Sequence, residues 1–131
     1  MAASVTVKTE DGYRVTATAG DHRITLDEKT DVGGTDAGPG AKEMLLAAVA
    51  SCGAITMKMY AERKGWPLEG AEIVSTLEPS ATPGQPPKVV QTITLKGPLD
   101  AEQKERLREI AGKCPVHKTL DGPLVIEETL G

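Results

Sequence analysis

Only two cysteines occur in this chain of 131 residues, and each stands where thiol chemistry can operate. Cys52 lies within an apolar run from Met44 to Tyr60, among Ala47, Ala48, Val49, Ala50, Gly53 and Ala54. Cys114 lies in Lys-Cys-Pro-Val-His, directly after a charged, helix-like stretch. No local turn joins residues so far apart, so any meeting of the two is the work of tertiary structure. Two thiols meeting in one small protein point to redox chemistry. Each also has a plainer reading, because free cysteine is among the most buried residue types and packs as a small hydrophobe.

Reactivity requires thiolate character. In mid-helix Cys52 gains little from the helix dipole, whose field fades within a turn of the end. A nearby cation would have to lower its pKa, and Arg suits best, being always charged and donating in a fixed fork. Cys114 is placed as the N-cap of a short helix begun by Pro115. There it would accept backbone N–H bonds and feel the positive helix end, which lowers a thiol pKa. A low-pKa thiol is a good leaving group, so a disulfide containing Cys114 is expected to be open to external thiols.

Other sites are weaker. His117 stands three residues after Cys114, as in half a zinc site. A full site needs four ligands, or three and a water; Cys52 and His22 are the only other Cys or His residues, so no metal is expected. The stretch Gly33-Gly-Thr-Asp-Ala-Gly-Pro-Gly40 resembles a phosphate loop but lacks the Gly-Lys-Ser/Thr ending and a βαβ setting. It reads as a turn into a helix. With no Phe, one Trp, two Tyr and a net charge of −4, the chain lacks both the stacking aromatics and the positive surface of a nucleic-acid binder. The start, Met-Ala-Ala-Ser-Val-Thr-Val-Lys, carries no basic segment followed by an apolar one, so no signal peptide is expected. The longest apolar run is interrupted by Ser51, Gly53, Thr56 and Lys58 and reads as too short to span a bilayer. The expectation is a cytoplasmic protein with no membrane partner, in which thiols stay reduced and a static disulfide is disfavoured.

The elements that must position these residues follow from pattern. Val5–Thr9, Tyr13–Ala19 and His22–Asp27 alternate apolar and polar residues, with Asp11-Gly12 and Gly20-Asp21 between them, and predict an antiparallel meander. Asp31–Gly40, with four glycines and a proline, is a loop. Ala41–Lys64 is rich in helix formers and ends at Gly65, a natural αL cap. Its middle is apolar nearly all round, which predicts burial on most sides. So small a domain cannot easily cover it, so a partner subunit is expected. Ala71–Leu77 and Val89–Leu95 predict a hairpin across Pro79–Pro87. Asp100 and Gln103 form a capping box for a helix over Ala101–Lys113, with Leu107, Ile110 and Ala111 as its apolar stripe. Leu124–Thr129 predicts a closing strand. The whole is one α+β domain over residues 1–131.

Three stretches together resemble a known family. Gly33-Gly-Thr-Asp-Ala-Gly-Pro-Gly leads into Glu43-Met-Leu-Leu-Ala-Ala-Val-Ala-Ser-Cys52. Thr56-Met-Lys-Met-Tyr-Ala-Glu-Arg-Lys-Gly-Trp-Pro-Leu68 follows, and later Ile110-Ala-Gly-Lys-Cys-Pro-Val-His117. This pattern, from about Asp21 onward, resembles the OsmC/Ohr family of osmotically inducible and organic hydroperoxide resistance proteins, nearer its broad OsmC-like subgroup. The resemblance implies an OsmC-like fold, with antiparallel sheets wrapped around long central helices in an intertwined homodimer. It implies a thiol peroxidase for hydroperoxides that needs no cofactor. Cys52 would attack the peroxide and become a sulfenic acid, Cys114 would resolve it as a disulfide, and a dithiol such as a lipoyl-protein would reduce that. It further implies an Arg holding the thiolate, assigned to Arg23 ahead of Arg14, and a Glu orienting the Arg. The family's Glu lies ten residues before the helix cysteine, where this chain has Lys42; Glu43, nine before, is the candidate here. Leu45, Leu46, Val49 and Met57 are candidates for a wall against an alkyl peroxide, or simply for core. Two other functions stay open: a non-enzymatic dimer binding a small apolar or reactive molecule, and a thiol redox sensor.

Overall fold

The computed structural model describes residues 3–131, in two compact units, one ending at Leu45 and one beginning at Leu46. In the first, β1 (Thr6–Thr9), β2 (Val15–Ala19) and β3 (His22–Leu26) form the expected antiparallel meander in the order β1-β2-β3. Thr6 faces Thr18, and Val15 faces Leu26. The loop that follows is irregular apart from a single 3-10 turn at Thr30–Val32. It must be glycine-rich because it runs close to its own sheet: a Cβ on Gly38 would overlap the Thr25 carbonyl oxygen.

Asp27, expected as the last residue of a strand, instead anchors that loop. It is buried, at 6% exposure. One carboxylate oxygen accepts the Glu28 N–H at 2.8 Å. The other accepts the Thr35 hydroxyl at 2.6 Å and the N–H groups of Thr35 and Ala37, each at 3.2 Å. Four donors satisfy the charge that burial would otherwise penalise. The Thr35 hydroxyl, with the three N–H groups, outweighs desolvation and holds the carboxyl at about 2, below its ordinary 3.8.

The loop delivers the chain to α1 (Ala41–Lys64). Glu43 is at N3 and reaches back to accept the Gly40 N–H at 2.9 Å, half of a capping box. At the far end Gly65, at φ 69°, supplies the left-handed cap.

In the second unit β4 (Gly70–Glu78) and β5 (Lys88–Lys96) pair as one long hairpin, from Gly70 opposite Lys96 to Glu78 opposite Lys88. Then come α2 (Ala101–Ala111) and α3 (Pro115–Asp121). Asp100 and Gln103 make the expected reciprocal capping box, at 2.8 and 3.0 Å. The stripe Leu107, Ile110 and Ala111 is buried as read. The core joins Met57 and Ala61 of α1 to Leu107 and Ala111 of α2, with Trp66, Ile73, Ile93 and Leu95 packed against them.

One expectation holds and two are corrected. First, as expected of so small a domain, one chain leaves much of α1 uncovered: Val49, Gly53, Met57 and Ala61 are buried, a stripe repeating every fourth residue. Leu45, Ile55 and Met59 stand exposed. Second, this helix is long and apolar enough, by length and composition alone, to cross a membrane, with a mean hydropathy of 1.5 over its best window. Ser51 and Thr56 do not interrupt it, because their hydroxyls bond back to the carbonyls of Ala48 and Cys52. Third, Leu124–Thr129 forms no strand. A strand needs a paired edge, and among the described residues this segment has none, leaving Val125 and Ile126 exposed.

The anchoring by Asp27 generates a pH prediction. Its folded pKa lies below the unfolded value, so its contribution is complete above pH 3.8 and is lost as pH falls towards 2. Asp27→Asn is expected to lower the unfolding temperature at neutral pH, with the gap to wild type closing across that acid window. A gap that stays constant with pH would show that the charge carries no stability.

Candidate thiol site

The second unit brings the two cysteines together. Cys52 lies half-buried on α1, one residue before Gly53 of the buried stripe. Gly53 permits close approach of the end of α2: a Cβ there would sit 3.5 Å from the Ala111 carbonyl oxygen, so larger side chains would push the helices apart. From Ala111 the chain turns through Gly112 and Lys113, whose N–H groups bond to the carbonyls of Glu109 and Ile110. That turn sets Cys114 as N-cap of α3, its sulfur accepting the His117 N–H at 3.3 Å. Cys114 is fully buried, and Cys52 is near enough to act on it as a side-chain hydrogen-bond partner. Both are free thiols in this state.

The electrostatics of Cys114 overturn the expectation of an activated thiol. Its pKa is raised, foremost because burial penalises the thiolate. The N–H groups of His117 and Val116 work the other way and lose, while the neighbouring Cys52 raises it further. The cap is present, but α3 has only seven residues and the Cys114 side chain that caps it is fully buried. The site is therefore asymmetric, with a half-buried cysteine on α1 beside a fully buried one that holds its proton.

The other candidate site residues belong to the first compact unit. Arg23 is exposed on β3, opposite Thr18. The Arg14 guanidinium donates to the Thr35 hydroxyl at 3.1 Å, which ties it to the Asp27 loop. Glu43 uses one carboxylate oxygen for the Gly40 N–H and stands 3.8 Å from the Lys29 ammonium; its other oxygen has no partner among the described residues. Of the apolar wall residues, Val49 and Met57 are core, the latter with no exposure at all, so neither can face a substrate; Leu45 is exposed.

A cationic cluster beside the core escaped the sequence reading. Arg106 of α2 donates to the Tyr60 hydroxyl at 3.2 Å, and Arg63, Lys64 and Arg106 stand 5.5 to 5.8 Å from the ring centre. The Arg106 hydrogen bond comes first in lowering the Tyr60 pKa. Arg63 and Lys64 are local to Tyr60, but nothing in the periodicity of α2 signals Arg106.

Two antiparallel sheets, three helices and a facing pair of thiols define an α+β protein of the OsmC-like kind. The chain belongs to the family described as OsmC-like protein, whose model matches residues 34–129. Solved structures agree on the fold. An OsmC-like protein from Mycoplasma pneumoniae superposes with a TM-score of 0.78 at 23% identity, covering 93% of this chain and 89% of its own. An organic hydroperoxide resistance protein OsmC from Legionella pneumophila gives 0.67 at 22%, covering 92% and 91%. The organic hydroperoxide resistance protein OhrB of Bacillus subtilis gives 0.64 at 20%, covering 95% and 93%. Among curated proteins none matches.

The asymmetry predicts the order of labelling. Under native conditions a thiol-selective alkylating agent is expected to modify Cys52 well before Cys114, read by peptide mass spectrometry. Cys114 labelling first would mean that its sulfur is neither shielded nor held protonated.

Proposed function

We propose that this protein is a homodimeric thiol peroxidase for hydroperoxides, organic ones above all, with Cys52 as the attacking sulfur and Cys114 as the resolving one. The observation that carries this reading is the pairing of an accessible with a buried thiol in a chain of the OsmC-like family. The Legionella and Bacillus relatives, named for organic hydroperoxide resistance, point the same way.

The Cys52 thiolate attacks one peroxide oxygen; the O–O bond breaks, the sulfur becomes a sulfenic acid, and the alkoxide takes a proton and departs as an alcohol. The Cys114 sulfur then attacks the Cys52 sulfur. An S–S bond forms, and the sulfenic hydroxyl leaves as water with the proton Cys114 had kept. A dithiol, a lipoyl-protein being one, returns both thiols and is itself oxidised to a disulfide. Because Cys114 is buried, the reductant reaches Cys52 and expels Cys114. A thiol of raised pKa is a poorer leaving group, which disfavours this exchange. Arg23 is assigned to hold the Cys52 thiolate, and the unpartnered oxygen of Glu43 to orient that guanidinium; both assignments rest on the resemblance. A reducing cytoplasm would keep the resting pair as thiols.

Two observations support the dimer. The face of α1 carrying Ile55 and Met59 is apolar yet exposed, and the apolar residues 124–126 lie exposed with no strand partner. A second copy would cover both. The burial of Cys114 favours one second reading, a redox sensor whose disulfide closes slowly.

Stopped-flow mixing with cumene hydroperoxide tests the chemistry. With a dithiol supplied, wild type is expected to consume peroxide over many turnovers and Cys52→Ser none; without it, wild type stops after one equivalent at the Cys52–Cys114 disulfide, and Cys114→Ser consumes one equivalent to leave sulfenic acid on Cys52, or two to leave sulfinic acid. Oxidation of Cys52 no faster than that of a free thiol would end the peroxidase reading, and equal turnover in both variants would end the role assignment. For the assembly, Ile55→Glu is expected to convert a dimer to a monomer by light scattering. A wild type that is already monomeric would refute the assembly.

A further inference from the structure

A cleft lies in the Leu46–Gly131 unit, between β5 and α2. It encloses about 510 Å³, within the range of about 300–1,000 Å³ common for small-molecule sites. Its composition runs from apolar to polar. Ile93, Leu95 and Ala101 supply an apolar surface, while Gln91, Lys104 and Arg108 supply the polar groups. Because α2 runs back along the hairpin from the turn at residues 97–100, Leu95 lies towards the Ala101 end and Gln91 towards the Arg108 end. Arg108 is held by Glu105 in a two-point ion pair, with Nε at 3.0 Å from both oxygens. Lys104 has no carboxylate partner among the described residues, so the lining keeps a net positive charge.

One group here is unexplained by the fold. Gln91 Oε1 is shielded from solvent and has no hydrogen-bond partner, and neither has Ser75 Oγ on the residue opposite it across the hairpin. An orphaned acceptor is costly, by about 1–3 kcal/mol in general, and native structures rarely carry two side by side without a reason. The terminal amide torsion of glutamine is soft, so Oε1 can turn into the cleft that Gln91 already lines.

We propose that this cleft binds a small amphipathic carboxylate whose apolar chain lies on Ile93, Leu95 and Ala101. Its carboxylate meets Lys104, and an N–H or hydroxyl donor beside it satisfies Gln91 Oε1. The residues involved are distinct from the thiol site, and the proposal stands whether or not the protein is a peroxidase.

N-octanoylglycine carries all three features and is the probe; octanoate lacks the donor and octanol lacks the charge. Calorimetry with the full-length protein is expected to give saturable, submillimolar binding of N-octanoylglycine with a rise in unfolding temperature. Octanoate and octanol are expected to bind about tenfold or more weakly, the usual order for a lost charge-assisted or buried hydrogen bond. Gln91→Met should weaken the probe similarly while leaving the ligand-free protein equally or more stable, because an orphaned acceptor has been removed. Lys104 is exposed, so Lys104→Ala folds and keeps the test decisive should Gln91→Met fail to fold. No saturable binding at millimolar probe overturns the proposal, including the case in which a second copy of the chain fills the cleft. Affinity unchanged in both variants overturns it as well, since the probe would then sit elsewhere.

Discussion

The stripe Val49, Gly53, Met57 and Ala61 on α1 is the surface on which the packing of the Leu46–Gly131 unit depends. Residues four apart lie one above another on a helix face, so this stripe is a continuous strip for α2 to lie on. Met57 and Leu107 fill the centre of the contact and are wholly buried. Gly53 leaves room for Ala111, and that approach decides how close the chain after α2 comes to Cys52. The cap of α3 then fixes the direction in which Cys114 leaves α2. The meeting of the thiols is a consequence of helix packing, not of anything local to either cysteine.

The same packing divides the labour between two chemically identical side chains. Burial of Cys114 raises its pKa and closes it to large reagents, while Cys52 keeps access to solvent. Burial and capping act on Cys114 in opposite directions, and burial wins because desolvation of the thiolate exceeds what two N–H groups return. Asp27 shows the opposite balance. Four donors, one of them a hydroxyl at 2.6 Å, more than offset desolvation and leave a carboxylate that stays charged. The count and quality of donors, rather than burial alone, sets the sign of the shift.

Much of the fold was legible in the chain because its signals are local. The meander, the hairpin, the capping box of Asp100 and Gln103, the αL cap at Gly65 and the N-cap role of Cys114 follow from residues within a few positions of one another. The errors share one cause, dependence on a distant neighbour. The apolar, β-prone pattern of residues 124–129 is real, but a strand exists only against a paired edge, and the described residues offer it none. Met57 looked as fit for a substrate wall as for a core until Leu107 was seen against it. The Tyr60–Arg106 bond is likewise invisible in sequence, since its partners lie in different helices.

By itself, then, the sequence determined most of the elements, their caps and the family, because hydrophobic periodicity, turn residues and motif spacing act over short range. Only the tertiary structure decided that the sulfurs face each other, which of them is buried, and that the helix cap fails to activate Cys114. Those outcomes depend on how much water the packed helices exclude from each atom, a quantity no single segment of chain contains.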